Sequence, residues 1–318
     1  MMANSYTNPW VSFCISTYKR PTLLNTQLLL LLDQTNKDFE IVVSDNDPES
    51  SARKVVEEIG DPRIKYFHNE DNLGMIRSFN KSIERATTEF IVMVTDDDPV
   101  DKDFLYKFRG IIDQYPQYSL YGGFVRENKP ENFLEIIEKD FFLIEILDPL
   151  KTSSLLWSSC ILRRTAVLEI GRIPDFGSPH LADHALLVLA GSVQGGVVVN
   201  KMYSSMTQHA GNFSKFNFEY YTKGCKGFYD VLTEFVSQTA KDYKKEEVIV
   251  RHLGKWFISN IFNLKRYYYN LNDTSMFEQV NKCGREIISF PFMRTFKPKY
   301  HFKQVIFFIK AKLGFLSK

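Results

Sequence analysis

Three consecutive carboxylates, Asp96, Asp97 and Asp98, follow directly on the apolar run Phe90-Ile-Val-Met-Val94. Like charges crowded into a partly dehydrated crevice raise one another's pKa until some take up protons, unless a cation offsets them. A hard divalent ion, Mn2+ or Mg2+, would do so through one or two carboxylates, with phosphate oxygens completing its shell. The triplet therefore points to a metal and a phosphate-bearing ligand together. The alternative is a solvated turn leading into a helix, where Asp serves as cap and dipole partner.

The elements around the triplet decide between these. Val11–Ser16, Glu40–Ser44, Ile64–Phe67 and Phe90–Val94 are short apolar runs that alternate with helical stretches over Thr22–Gln34, Ser51–Ile59 and Met75–Ala86. Near-continuous apolar strands between helices of this length predict a mainly parallel sheet with helices on both faces. Ligands of such sheets bind outside the carboxyl ends of the strands. That edge would gather Thr17-Tyr-Lys-Arg-Pro21, Asp45-Asn-Asp-Pro48 and Thr95-Asp-Asp-Asp98. From Tyr118 to Tyr203, prolines and glycines break the regularity, with a helix over Ala182–Ala190 and a strand over Gly196–Val199 still legible. After Phe213 the pattern is helical, including Tyr220–Ser237, Glu246–Asn270 and Phe302–Leu316.

The formal charge of +2 hides an uneven distribution: residues 251–318 carry 13 Lys and Arg against three acids, leaving the first 250 residues acidic. An acidic body suits metal binding, and a basic aromatic tail suits an anionic partner. The four cysteines, Cys14, Cys160, Cys225 and Cys283, show no CxxC pair or ligand spacing, which predicts a reducing compartment. The first residues, MMANSYTNPW, do not read as a signal peptide, and no apolar run approaches the ~20 residues of a membrane span. The expectation is a cytoplasmic protein, soluble or peripheral at the inner face of the membrane.

Taken in order, VSFCISTYKRP, FEIVVSDND and NEDNLGMIRSFNKSIERATTEFIVMVTDDD resemble the nucleotide-binding half of family-2 inverting glycosyltransferases with the GT-A fold, closely over about residues 10–125 and more loosely to about 215. The resemblance implies a Rossmann-like α/β domain over residues 1–215, followed by a helical region over 216–318. It implies sugar transfer from a UDP-sugar to a glycan or lipid-linked acceptor hydroxyl in bacterial surface polysaccharide synthesis. Position by position, Thr17 and Tyr18 match residues that hold the uracil, with Arg20 beside them and a core aromatic near a strand end as the alternative for Tyr18, and Asp45 or Asn46 would read the ring's edge. Asn72 and Gly74 match the family's Asn-x-Gly turn. Arg77 would reach toward the diphosphate, with a solvated helical arginine as its alternative, and Asn80 would tie its helix to the sheet. The Asp-x-Asp metal motif fits Asp96 and Asp98 directly, whereas the segment that follows aligns Asp97 to its second position. Asp97 is the favoured metal ligand, Asp98 the close alternative, and Asp96 faces the ribose.

In the second half, HLADHALLVL resembles the element that carries the family's base, with Ala182-Asp183 where Glu-Asp is common. Asp183 is thereby the candidate base, with His184 as an unusual neighbour, and its alternative is a residue serving the helix dipole. His209 in MTQHAGNFS matches a loop histidine that joins the metal or diphosphate, and a simple polar loop histidine is its alternative. Trp157, Ser158 and Ser159 match a segment beneath the sugar and acceptor, although a tryptophan there is also a natural core residue.

In the tail, Phe302, Val305, Ile306, Ile309, Leu313 and Leu316 fall on one helix face, with Lys303, Lys310 and Lys312 off it. This is the pattern of a monotopic contact with an anionic membrane; a packing helix or an oligomer interface is its alternative. No stacking platform or zinc knuckle accompanies the basic residues, so nucleic acid is not expected. Nucleotidyl transfer would call for a Gly-rich phosphate loop after the first strand, and Ser16-Thr-Tyr-Lys-Arg20 is not one. An inactive nucleotide-sugar-binding module is the remaining rival, suggested only by Ala182.

Overall fold

The structure, a computed structural model, describes residues 8–207, 217–239 and 242–315. Two compact units divide the chain: Met1–Ile146 with Leu150–Asp175 and Ala182–Gln208, and Leu147–Pro149 with Phe176–Leu181 and His209–Lys318.

The first unit opens with β1 (Val11–Thr17), α1 (Pro21–Leu32), β2 (Phe39–Asp45), α2 (Arg53–Ile59), β3 (Ile64–His68), α3 (Met75–Arg85), β4 (Phe90–Val94) and α4 (Phe104–Gln114). The strands lie parallel in the order β3-β2-β1-β4. Their apolar character follows from burial on both faces. Phe13 and Ile15 share a core with Leu24, Leu28 and Leu31 of α1 and Phe104 and Phe108 of α4. Ser16 turns to the other face and donates to Ser78 of α3 at 2.7 Å. Pro21 opens α1, where its fixed φ is already helical and its missing N–H costs nothing.

The irregular middle of the sequence completes the same sheet. It forms β5 (Leu120–Arg126), β6 (Leu134–Ile137), α5 (Lys139–Leu147), β7 (Thr152–Ser154), β8 (Cys160–Arg163), α6 (Arg164–Glu169), α7 (Ala182–Gln194) and β9 (Gly196–Asn200). β8 enters antiparallel between β4 and β5, β9 runs parallel to β5, and β6 closes the far edge, giving the order β3-β2-β1-β4-β8-β5-β9-β6. β5 carries Gly123 where the chain is most crowded. A Cβ there would lie 2.7 Å from Ser159 Oγ and against the Lys201 carbonyl, so glycine lets both segments close on the strand.

The second unit is helical: α8 (Phe218–Thr239), α9 (Tyr243–Asn270), α10 (Thr274–Ser289) and α11 (Lys297–Lys312), the last preceded by a 3-10 turn over Pro291–Phe296. Asp242 and Asp273 cap α9 and α10, accepting from the Lys244 and Met276 amides at 3.0 Å each. The core holds Phe228, Leu253, Phe257 and Ile287, onto which α11 seats Tyr300 and Phe307. Lys265 of α9 is fully buried beneath α11, bonded to the Tyr300 hydroxyl at 3.3 Å and to Gln304. Among the described residues no helix is long and apolar enough to cross a membrane.

Candidate active site

Strand register sets the site. Thr17 lies opposite Asp45 in the β1–β2 ladder, and Ile15 opposite Val94 in β1–β4, so the residues just past β4 reach the level of Thr17. There the Thr17 hydroxyl donates to Asp96 at 2.9 Å, and the Arg20 guanidinium donates to Asp96 and Asp97 at 3.0 Å each. Asp98 is held from two directions. Gln27 of α1 donates to its carbonyl at 2.8 Å, and the Thr207 amide donates to its carboxylate at 3.1 Å.

Thr207 is brought there by a strip that runs antiparallel to residues 98–101. The Asp101 amide donates to the Tyr203 carbonyl at 2.7 Å, Val100 bridges Ser204, and the Ser205 amide donates to the Pro99 carbonyl at 3.2 Å. Ser158 and Ser159 fix this strip from behind: Ser158 donates to the Ser204 hydroxyl at 2.9 Å, and Ser159 accepts from the Tyr203 amide at 2.9 Å. Both serines are buried, as is Trp157, whose ring meets Phe79 edge-on at 4.8 Å. The structure places this segment in the packing behind the site.

Burial pushes the Asp96 carboxyl above its ordinary range, against the pull of Arg20 and Thr17 and with the support of Asp97. Asp98 is raised in the same way, mainly by burial, with the Thr207 amide opposing and the charges of Asp97 and Asp183 adding to it. The first turn of α7 thus brings Asp183 within electrostatic reach of the triplet, inside the same unit. Asp183 is half-buried and accepts a bond from the His184 amide at 2.8 Å, and His184 follows it on the helix. His209 lies outside the described residues.

The other strand ends form the rim. Tyr18 is 43% exposed just past β1, and Lys19, at φ +54°, lies 3.9 Å from Asp47. Asp45 is fully buried with both carboxylate oxygens engaged: one accepts from the Asp47 amide at 3.1 Å, the other from the Ala52 amide at 3.0 Å and the Tyr66 hydroxyl at 2.8 Å. These bonds shape the loop after β2, and Asn46 beside Asp45 is buried as well, at 3% exposure. The Asn46 amide group donates to Asn72 at 2.7 Å and accepts from the Leu73 amide at 2.9 Å, joining the loop after β2 to the turn before α3. Gly74 caps α3 at φ +80°, a conformation costly for any side chain. Arg77 is three-quarters exposed on α3 and pairs with Asp175 at 3.4 Å. Asn80 exchanges two bonds of 3.0 Å with Ile173, tying α3 to the segment after α6 where the sequence suggested the sheet.

Gln27 and Thr207 are the supports that sequence reasoning missed. Gln27 had a signal, because it sits on the buried stripe Leu24, Gln27, Leu28, Leu31 of α1, and a polar residue in such a stripe needs a polar partner. Thr207 had none, since its role arises from a backbone amide.

Among the described residues no three His, Cys, Asp or Glu side chains converge as a ready metal cage. The donor set nevertheless fits a hard divalent ion that takes one or two protein carboxylates and draws its other ligands from a diphosphate. Asp97 and Asp98 are the members suited to it, since both Asp96 oxygens already accept bonds from Thr17 and Arg20. The under-compensated burial of Asp98 is what a bound cation would relieve.

A doubly covered sheet with its polar residues at the carboxyl edge of β1, β2 and β4 is the GT-A form of the α/β fold. The chain belongs to glycosyl transferase family 2, whose model matches residues 12–171, half of its length. Over 93 residues it is 33% identical to the GalNAc(5)-diNAcBac-PP-undecaprenol beta-1,3-glucosyltransferase of Campylobacter jejuni, an alignment covering 28% of this chain and 30% of that one. The chain spans between 28% and 54% of the length of the first three curated relatives it matches. Among solved structures, S. aureus TarS superposes with a TM-score of 0.58 at 15% identity, covering 92% of this chain and 91% of that one. The mannosyltransferase PcManGT from Pyrobaculum calidifontis, solved with GDP-Man and Mn2+, superposes with a TM-score of 0.56 at 13% identity, covering 98% and 88%.

Proposed function

We propose that this chain is a metal-dependent inverting glycosyltransferase that moves a sugar from a UDP-sugar to a hydroxyl of a glycan or lipid-linked acceptor. The observation that carries the reading is the cluster at the ends of β1 and β4, where Thr17 and Arg20 bond Asp96 and Asp97 and Gln27 holds Asp98, in the unit that also carries Asp183. Asp183 takes the proton of the acceptor hydroxyl while that oxygen attacks the anomeric carbon. The bond from that carbon to the diphosphate oxygen breaks on the opposite face, and the electron pair leaves with UDP. Asp97 and Asp98 would hold Mn2+ or Mg2+, which neutralises charge on the departing diphosphate. Thr17 and Arg20 orient Asp96 toward the ribose, Tyr18 offers its exposed ring to the uracil, and Asn46 reads the ring's edge.

Names among the similar proteins support the donor and acceptor classes. TarS has been solved with UDP-GlcNAc, and the C. jejuni relative is named for a diphospho-undecaprenol-linked glycan. They favour bacterial surface polysaccharide synthesis at the cytoplasmic face of the membrane. Membership of glycosyl transferase family 2 favours an enzyme over an inactive module, and Ala182, the departure that suggested the module, is fully buried at the start of α7. The test is UDP release from a panel of UDP-sugars with Mn2+ or Mg2+ and a glycan acceptor. The expected result is cation-dependent turnover that Asp183→Asn lowers by about 10²- to 10⁴-fold with UDP affinity unchanged. Turnover that survives Asp183→Asn would remove that residue as the base, and no turnover with any sugar nucleotide would remove the reading itself.

A further inference from the structure

We propose that the outward face of α11 docks the protein on an anionic lipid bilayer, lying in the interface without crossing it. The helix has two opposed stripes. Tyr300, Gln304, Phe307 and Ala311, spaced four, three and four residues apart, face the helical unit: Tyr300 and Phe307 are buried, and Lys265 bonds to Tyr300 and Gln304. On the opposite side Phe302, Val305, Ile306, Ile309 and Leu313 are all exposed, Phe302 and Leu313 by more than 60%. The sequence alone allowed this apolar face to be the packing one. In the structure the packing falls to the other stripe, and the large apolar side chains are left in water.

The charges around that stripe select its occupant. By helical position Lys299, Lys303 and Lys310 border it on one side, and His301 and Lys312 on the other. After Glu286 the sequence contains no acidic residue. A second copy pairing through the same face would bring lysine rows together with no carboxylate between them, which opposes association. A bilayer bearing anionic headgroups matches both features, taking the apolar stripe below the headgroups while the lysine stems reach up to the phosphates. Mean attraction per lysine near such a surface makes the three lysines Lys303, Lys310 and Lys312 worth about a hundredfold in partitioning.

The experiment is co-sedimentation of the full chain with phosphatidylcholine vesicles and with vesicles containing phosphatidylglycerol. The expected result is binding to the second that declines with ionic strength. Replacing Lys303, Lys310 and Lys312 by glutamine should weaken it about a hundredfold, and Ile309→Ser with Leu313→Ser at least tenfold. All five substituted side chains are exposed and the packing stripe beneath them is unchanged, so the variants should melt close to the parent, with Lys303 giving up its position over the Phe262 ring. The proposal is overturned by absent or salt-independent binding of the unsubstituted chain to anionic vesicles, or by binding that neither variant weakens. A concentration-dependent rise in mass that Ile309→Ser with Leu313→Ser abolishes, without vesicle binding, would assign the face to self-association instead.

Discussion

Replacing Arg20 with glutamine removes the guanidinium that donates to both Asp96 and Asp97 at 3.0 Å. Hydrogen bonds to charged groups contribute about 1.5–3 kcal/mol each. The Arg20 side chain keeps 30% of its exposure, whereas Asp96 keeps 6% and Asp97 12%, so screening acts mainly from the arginine side. With that discount the two bonds together are worth about 2–3 kcal/mol at neutral pH, or about 5–10 °C in Tm for a unit of this size. The pH dependence separates this account from simple loss of packing. Asp96 already titrates above its ordinary range because it is buried, and without Arg20 its neutral form is favoured further. A carboxyl whose folded pKa is raised binds its proton more readily in the native state, so acidification restores stability to the variant. Calorimetric melts of parent and Arg20→Gln near neutral pH and at about pH 5 should therefore show a gap that narrows on the acid side. Divalent cation added with UDP should narrow it at neutral pH. An equal gap at both pH values, unaffected by cation and nucleotide, would refute the claim that Arg20 serves as the counter-charge of the triplet.

Asp98→Asn should weaken cation-dependent UDP binding by about ten- to hundredfold while leaving cation-free binding near the parent value, measured by titration calorimetry with and without Mn2+. Because Asp98 and Asp96 both have raised pKa values, protons compete with the cation over a wider range than for ordinary carboxylates, and the Mn2+-dependent rise in Tm should shrink as the pH falls toward about 5. Lys265 is driven down to about 7 by burial and by Arg285. An amine with a depressed folded pKa destabilises the native state while protonated and ceases to do so as pH rises, so the parent should gain stability from about pH 7 to about pH 9 and Lys265→Met should not. Gly123→Ala would press a methyl against Ser159 Oγ and the Lys201 carbonyl, and urea denaturation should register a loss of about 1–3 kcal/mol.

The parallel half of the sheet was legible because burial on both faces writes itself into sequence. Phe90–Val94 is apolar at all five positions and buried at all five, and β1 and β2 are buried at six of seven and seven of seven positions around the apolar runs Phe13–Ile15 and Ile41–Val43. The antiparallel insertion was not legible, for β7 and β8 have three and four residues and owe their conformation to partners far along the chain. Local pattern carries little signal at that length. The second unit shows the opposite kind of limit. The periodicity of α11 was plain, yet its direction was not, since a moment in the sequence does not say which stripe meets the protein.

The site divides in the same way. Asp96, Asp97 and Asp98 could be found from one strand and its end, but their different environments come from elsewhere. Asp96 is bound by side chains of the β1–α1 turn, while Asp98 is held through its carbonyl by α1 and through its carboxylate by the strip at 203–207. Arg20 reaches Asp97 as well, through one of its oxygens. A carboxylate with both oxygens committed to Thr17 and Arg20 is poorly placed to give one to a cation, whereas Asp98 is buried, raised in pKa and coupled to Asp183. The charge of Asp183 adds to the upward push on Asp98, so the candidate base and the triplet lie within electrostatic reach of one another inside one unit.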